Sequence, residues 1–441
     1  MTTTEPIPQA LAAPVGQHDR ITLLDSLRGI AILGILLMNI PGFGLPAPLC
    51  YGDLSVLKET GANFNTWYGI GMTVEGTQRA LFSMLFGAGM LLFIGRKEQT
   101  TVGLMPAEYF FRRQLWLLLF GLFNAFVLLW FWDILFQYAV CGMILFVFRR
   151  LSPRNLLIGA VVCLGLQTAR DNVLFYRDKT AIVTGEALAK RDTTQVRLTA
   201  DEKEKVAAMT AQKERSSAQG KKKAMEKSLQ KVRGSYTEFY EYQSDRSFQG
   251  EVHYTYNGLW DVLIFMFLGM AFYKNGLLLG RASSATYWGL FLGGMGIGMV
   301  LTWFHLQPAI DLNYNRYEIT KQVPIELYEV ARAFRSVGIL GLIMVLYKSG
   351  LFGWLFSLMR PVGQMAFTNY LMQSLMVGLF FYGIGFGMFG KLQRFEIYYV
   401  VGVVWVIQII WSHLWLRFFR FGPLEWLWRS LTYWQFQPMK R

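Results

Sequence analysis

Long apolar runs punctuated by short polar clusters dominate the chain. Taking about 20 such residues as one bilayer crossing, ten segments qualify: roughly 26–45, 76–95, 113–131, 133–149, 155–172, 257–274, 284–304, 330–348, 363–388 and 397–416. The pattern predicts an all-α, polytopic transmembrane helical bundle of about ten crossings, with both chain ends on one side. Its organisation reads as two five-crossing halves, residues 1–172 and 256–421. A charged extracytoplasmic insertion over 173–255 separates them, and an amphipathic tail over 422–441 follows.

The insertion contains "LTADEKEKVAAMTAQKERSSAQGKKKAMEKSLQKV", which opens on a Thr199/Glu202 capping-box pattern ahead of an Ala-, Lys- and Glu-rich run. It reads as a long exposed helix or helical hairpin, and the same composition suits a segment that orders on meeting a partner. The tail "RFGPLEWLWRSLTYWQFQPMKR" reads as an interfacial helix with Trp426, Trp428 and Trp434 at headgroup level. The opening "MTTTEPIPQALAAPVGQHD" has no basic start, and no small-residue cleavage site follows the first apolar run. That run is therefore read as a retained anchor.

Composition agrees: 53% hydrophobic against 16% charged residues, with 14 Trp and 35 Phe, excludes an ordinary soluble domain. The net charge of +14 raises the question of nucleic acid, and its distribution answers it. The insertion holds 16 Lys and Arg against 12 Asp and Glu, and most of the remaining excess sits at the ends of apolar segments. Arg96, Lys97, Arg112, Arg113, Arg149, Arg150, Arg154, Lys274, Arg281, Lys348, Arg360 and the basic residues of the tail all fall on the side of the N-terminus. The positive-inside rule makes that side cytoplasmic, so lipid and not nucleic acid is the expected surrounding. Cys50, Cys141 and Cys163 are scattered without a CxxC, and no HExxH or GxSxG occurs. No metal site or disulfide framework is expected.

Ionisable and amide groups within apolar segments are functional candidates, because burying them in lipid is costly. Asp25 and Arg28, three residues apart, can pair at the cytoplasmic end of the first segment or hold a substrate there. Asn39 precedes Pro41-Gly42 and can cap an unwound turn or touch substrate. Glu75 and Arg79, four apart, make either a helix-surface pair or an outer-side binding site. Asp133 and Asp261 read as interfacial groups, Asp133 as a turn residue. Arg332 and Arg335, below Glu326 and Glu329, suit an anionic ligand or internal ion pairs. Asn369 and Gln373, one turn apart, suit interhelical hydrogen bonds or a substrate path. The glycines of "GLFFYGIGFGMFG" permit close approach or a broken helix. His305, with Asp311 six residues on, forms a candidate base and orienter.

The stretches "LDSLRGIAILGILLMNI", "FSMLFGAGM" and "GQMAFTNYLMQSL…YGIGFGMFG…WLRFFRFGPLEWLWRSLTYW" resemble the bacterial YeiB-type membrane-protein family, a domain of unknown function. The first-helix signature is also similar to that of transmembrane acyltransferases such as the heparan-glucosaminide N-acetyltransferases. That resemblance implies a bacterial inner-membrane protein with both termini cytoplasmic. It also implies transfer of a small acyl group from cytoplasmic acyl-CoA to an extracytoplasmic glycan, lipid or peptide, with no permanently bound cofactor. Asp25 and Arg28 would serve the donor end, with phosphate contacts from Arg28, Arg112, Arg113 and Arg360. Asn39 would stand where those enzymes carry a catalytic Asn. Residues 40–75 hold no histidine to accompany it, which leaves Cys50 and Glu75 as substitutes.

The candidate catalytic set is thus Asn39, Glu75 and His305, and the candidate binding set Asp25, Arg28, Arg79, Arg332, Arg335, Asn369 and Gln373. Two other functions fit the same residues. One is export of a small anionic solute past Arg332, Arg335 and the polar face near Asn369. The other is a non-catalytic scaffold that recruits a partner through the insertion. Homo-oligomerisation is compatible with each.

Overall fold

The computed structural model describes residues 21–101, 103–191 and 198–441, so the N-terminal tail read as lacking a leader lies outside the described residues. Every extended element among the described residues is helical. The first half comprises α1 (Thr22–Gly44), α2 (Ala62–Thr73), α3 (Thr77–Thr100), α4 (Met105–Phe126), α5 (Leu135–Leu145) and α6 (Pro153–Ala189). The insertion forms α7 (Ala200–Ser216), α8 (Ala218–Arg233), α9 (Tyr236–Gln249), a π turn (Gly250–Tyr254) and the short α10 (Thr255–Asn257). The second half is α11 (Leu259–Lys274), α12 (Ser284–Asp311), α13 (Arg316–Gln322), α14 (Tyr328–Ser349), α15 (Gly353–Gln364), α16 (Ala366–Phe381) and α17 (Ile397–Phe418). The tail helix is α18 (Pro423–Tyr433).

Among the described residues, six helices are long and apolar enough to cross a bilayer: α1, the α2–α3 stretch, α6, α12, α14 and α17. A seventh results if the bent stretch 236–274 counts as one span. Each of the ten apolar segments coincides with a helix, but α5 and α16 are short, and α4 carries Glu108, Arg112 and Arg113. The segment expected over 363–388 is corrected. The chain breaks at Met365, and α16 ends at Phe381, so the glycine run lies in a loop in which Gly387 and Gly390 have positive φ. The break is capped from outside: the Glu425 carboxylate of α18 accepts bonds from the backbone N–H groups of Phe367 (2.8 Å) and Thr368 (3.0 Å).

In lipid the driving force between helices is packing and hydrogen bonding, and small residues set how closely backbones approach. A Cβ on Gly363 would stand 1.7 Å from the carbonyl oxygen of Asp25, which seats α15 against α1. One on Gly269 would stand 1.9 Å from the carbonyl oxygen of Met84, which seats α11 against α3. Amides join the helices elsewhere. Asn369 Nδ2 donates to Val362 O and Ser412 Oγ, both at 3.0 Å, and its Oδ1 accepts from Trp411 Nε1. Gln373 donates to Ile32 O (3.1 Å) and Gln408 Oε1 (3.0 Å).

The insertion is not a free arm. It begins as a continuation of α6, which runs unbroken through residue 172, so that domain boundary falls inside a helix. The Thr199/Glu202 capping box forms, and a second one forms at Ser235/Glu238. The helices then fold down onto the bundle. Lys221 pairs with Asp53 (2.8 Å) and donates to Ser55 Oγ and Tyr314 O. Arg233 bonds Phe389 O, and Gln243 reaches Leu129 O. Phe239 and Val232 are buried in an apolar cluster with Phe43, Trp130 and Phe381. The Lys- and Glu-rich composition is what the exposed faces need, and it conceals the few apolar residues that dock.

Candidate functional site

Two polar regions of the bundle meet at Tyr138. The first is a cavity of about 270 Å³ among α1, α3, α4, α5, the end of α15, α16 and α18. Four guanidinium groups, from Arg28, Arg96, Arg113 and Arg429, line it, together with the carboxylates of Asp25 and Glu425. Deeper, the wall is apolar and aromatic and ends at Tyr138 and Tyr370. Arg28 NH1 pairs with Asp25 Oδ1 at 2.9 Å, and the buried Asp25 Oδ2 has no hydrogen-bond partner among the described residues. The Arg113 guanidinium stacks 3.5 Å from the Trp428 ring centre, and the Trp428 indole N–H donates to Arg113 O (2.9 Å). The tail helix therefore walls the cavity: Trp428 is buried, whereas Trp434 is exposed.

At the far end, the Tyr138 hydroxyl hydrogen-bonds Ser83 and donates to the carbonyl oxygen of Arg79 at 3.0 Å. Arg79 opens the second region, an ionic cluster on the insertion side. Asp261 is its hub, ion-paired to both Arg79 and Arg332. Arg332 is fully buried and also donates to Glu329 Oε2 from Nε (3.1 Å) and NH2 (2.6 Å). Gly76, at φ +72°, makes the cluster possible. A Cβ there would lie 2.3 Å from Arg332 Cδ.

That glycine also separates α2 from α3, so Glu75 and Arg79 do not share a helix and the expected i,i+4 pair does not form. The Glu75 carboxylate turns instead toward Gly71, whose carbonyl accepts a 2.6 Å bond from Arg335 NH1. The charges of Arg335, His305 and Arg332 all act on Glu75. His305 takes Glu326, not Asp311, as its partner, with Nδ1 3.0 Å from Glu326 Oε1; Asp311 is bonded to Gln307. Glu326 is itself fixed by Asn172, which donates to its carbonyl (2.8 Å) and accepts from its N–H (3.0 Å). Burial alone would raise the Glu326 carboxyl, but the His305 bond and nearby positive charge hold it below the ordinary range. With Nδ1 committed, Nε2 is the ring nitrogen left to accept a proton.

The structure thus brings Asp25 and Arg28 together at the cavity, and Glu75, Arg79, His305, Arg332 and Arg335 together at the ionic cluster. Asn369 and Gln373 bind neighbouring helices; Asn369 lies outside the cavity lining, as does Asn39, half-buried on a helix that continues through Pro41. Asn39 therefore caps no unwound turn. Arg112 pairs with Glu108, and neither Arg112 nor Arg360 lines the cavity. Cys50 is buried, and burial pushes its thiol up to about 11 despite the nearby charges of Arg246 and Arg394. It is no thiolate nucleophile at neutral pH. Asp133 does act as a turn residue, accepting the Phe136 N–H (3.0 Å) and the Asn124 amide (2.7 Å). Sequence reading missed Asp261 as a hub, Glu326 as the histidine partner, and Arg96, Arg429, Tyr138 and Tyr370 as cavity wall. No group of three or more His, Cys, Asp or Glu side chains is arranged to hold a metal among the described residues.

Residues 272–435 match a family model described as "Protein of unknown function (DUF418)". The chain is 30% identical over 445 residues to "Uncharacterized protein YxaH" of Bacillus subtilis (strain 168), covering 97% of this chain and 98% of that one. It is 28% identical to "Uncharacterized protein YeiB" of Escherichia coli (strain K12), covering 94% and 96%. It is 26% identical to an "Uncharacterized 39.9 kDa protein in amylase 3'region" of Bacillus acidopullulyticus, covering 95% and 96%. No solved structure matches. A bundle of apolar helices that aligns with bacterial proteins over nearly their whole length leaves no doubt about kinship: the chain belongs to the YeiB/YxaH, or DUF418, family of membrane proteins.

Proposed function

We propose that the protein is an inner-membrane acyltransferase that moves a small acyl group from cytoplasmic acyl-CoA to an acceptor on the other side of the membrane. The observation that carries this reading is the form of the cavity, with guanidinium groups at one end, aromatic and apolar wall beyond, and the ionic cluster one hydrogen bond past its floor. Arginine forks suit the donor's phosphates. The apolar depth suits the pantetheine arm and acyl group. In this reading the ten apolar segments cross the membrane, the basic loops and both termini are cytoplasmic, and the insertion covers the outer face.

The chemistry assigned to the residues is nucleophilic substitution at the thioester. The acceptor's hydroxyl or amine forms a bond to the acyl carbon, the carbon–sulfur bond breaks, and CoA leaves with the sulfur electron pair as the thiolate, which takes up the acceptor's proton when His305 releases it and departs as the thiol. The acceptor's own proton goes to His305 Nε2, whose ring Glu326 orients and, once the ring is charged, stabilises. Tyr138 stands between the cavity and the ionic cluster.

The test uses proteoliposomes given acyl-labelled acetyl-CoA on the cytoplasmic side and a membrane extract of acceptors on the other. Labelled product on the far side, lost in His305→Ala and Arg28→Gln, supports the reading. Label that never leaves CoA, with a folded and oriented protein and an acceptor-replete extract, overturns it.

A further inference from the structure

Arg335 is fully buried, yet only one of its three guanidinium nitrogens is used. NH1 donates to the carbonyl oxygen of Gly71 at 2.6 Å, while Nε and NH2 have no hydrogen-bond partner among the described residues. Those two nitrogens form one edge of the guanidinium plane, the edge that presents two parallel N–H groups. The side chain is not free to turn this edge toward water. A Cβ on Gly298 would lie 2.5 Å from Arg335 Cγ, so α12 presses on its stem while Gly71 holds its tip. Arg332, by contrast, spends its Nε/NH2 edge on Glu329. The two arginines sit in the same helix and the same cluster, and only one has its fork filled.

An unpaired buried guanidinium edge is expensive, and two parallel N–H donors are matched by two oxygens of one anion. The neighbouring carboxylate, Glu75, is close enough for its charge to be felt but makes no hydrogen bond to the fork. Of the neighbouring charged groups, His305 and Glu326 have side chains 34% and 27% exposed. We infer that the Nε/NH2 edge of Arg335 is a bidentate binding site for an oxyanion, a carboxylate or phosphate, on the insertion side of the bundle. Resting on the acyl-transfer reading, this narrows the acceptor to a molecule carrying such an anion, held by Arg335 so that its nucleophilic hydroxyl or amine meets His305. Glu75 competes for the same fork and tunes the affinity.

The experiment measures thermal unfolding of the full-length, detergent-purified protein in increasing inorganic phosphate or sodium acetate, with sodium chloride at matched ionic strength as baseline. Wild type is expected to show a saturable rise in Tm with at least one of the two anions. The rise that persists in an Arg28→Gln background, where the cavity's own phosphate site is disabled, disappears when Arg335→Gln is added, weakens by about tenfold in apparent Kd when Arg335→Lys is added instead, which keeps the charge but loses the fork, and tightens with Glu75→Gln. Arg28→Gln keeps it, which separates this site from the arginines of the cavity. Should Arg335→Gln fail to give monodisperse protein, Arg335→Lys decides. An unchanged rise in the Arg335 variants, a rise lost in Arg28→Gln alone, or no rise with either anion overturns the inference.

Nanodiscs identify the source of the anion. If phosphatidylglycerol discs abolish the phosphate response and phosphatidylcholine discs keep it, the occupant is a lipid headgroup; if both keep it, the occupant is a soluble oxyanion. No arm contains acyl-CoA, so failure of donor binding and failure of anion binding are read separately.

Discussion

Asp261→Asn tests whether the ionic cluster is one cooperative unit. The wild-type carboxylate stands between two cations: Arg332, whose side chain is 1% exposed, and Arg79, whose side chain is 34% exposed. Neutralising it leaves two guanidinium groups, with Glu329 still bonded to Arg332. Removing one partner of a buried ion pair costs about 3–5 kcal/mol, because the remaining charge stays desolvated. The lower end applies here, since Arg332 keeps Glu329 and Arg79 can hydrate. The expected loss is about 3 kcal/mol, or roughly two decades in the unfolding constant. The assay is reversible unfolding in SDS–detergent mixtures, followed by helical circular dichroism. The discriminating step is the double variant with Arg79→Gln, which removes one of the two cations left facing each other and should recover about 1 kcal/mol or more relative to additivity. A loss below about 1 kcal/mol for Asp261→Asn, or strict additivity with Arg79→Gln, would refute the reasoning.

Three further outcomes follow from the same structure. Gly363→Ala drives a methyl group into the α1 backbone at Asp25 and should abolish monodisperse yield, whereas Gly289→Ala, with nothing within 4 Å of its Cβ, should match or modestly exceed wild type in detergent stability. Cys50, raised by burial, should react with maleimide at pH 8 no faster than the background left in Cys50→Ser, with labelling appearing in SDS. Glu326 is held below its unfolded pKa, so the stability it adds is full above the ordinary carboxylate range and is lost as pH falls through the lowered value. The stability gap between wild type and Glu326→Gln should therefore shrink as pH falls below about 4; a gap that stays undiminished below that pH contradicts the assignment.

Helix positions were legible because apolar runs of bilayer length announce themselves, and the Thr199/Glu202 cap because its reciprocal bonds are local in sequence. Asp25 and Arg28 could be paired for the same reason. What could not be read is long-range. Asp261 meets Arg79 across 182 residues, and His305 faces Glu326 because α6, through Asn172, clamps the chain after α13. Nothing in a one-dimensional pattern distinguishes Asp311 from Glu326 as the histidine's partner. Glu75 and Arg79 misled for a specific reason: a positive-φ glycine between them ends the helical register that their spacing assumes. The tail helix is legible as amphipathic, but the sequence does not show that its buried face walls a cavity.

The most direct measurement of the central claim is binding of acetyl-CoA and longer acyl-CoAs to the detergent-purified protein by native mass spectrometry, comparing wild type, Arg28→Gln and Arg113→Gln. The account predicts one acyl-CoA per chain, competed by CoA and lost or strongly weakened when either arginine is neutralised. A folded, monodisperse wild type that binds no acyl-CoA, or binds it equally well without Arg28 and Arg113, would contradict it.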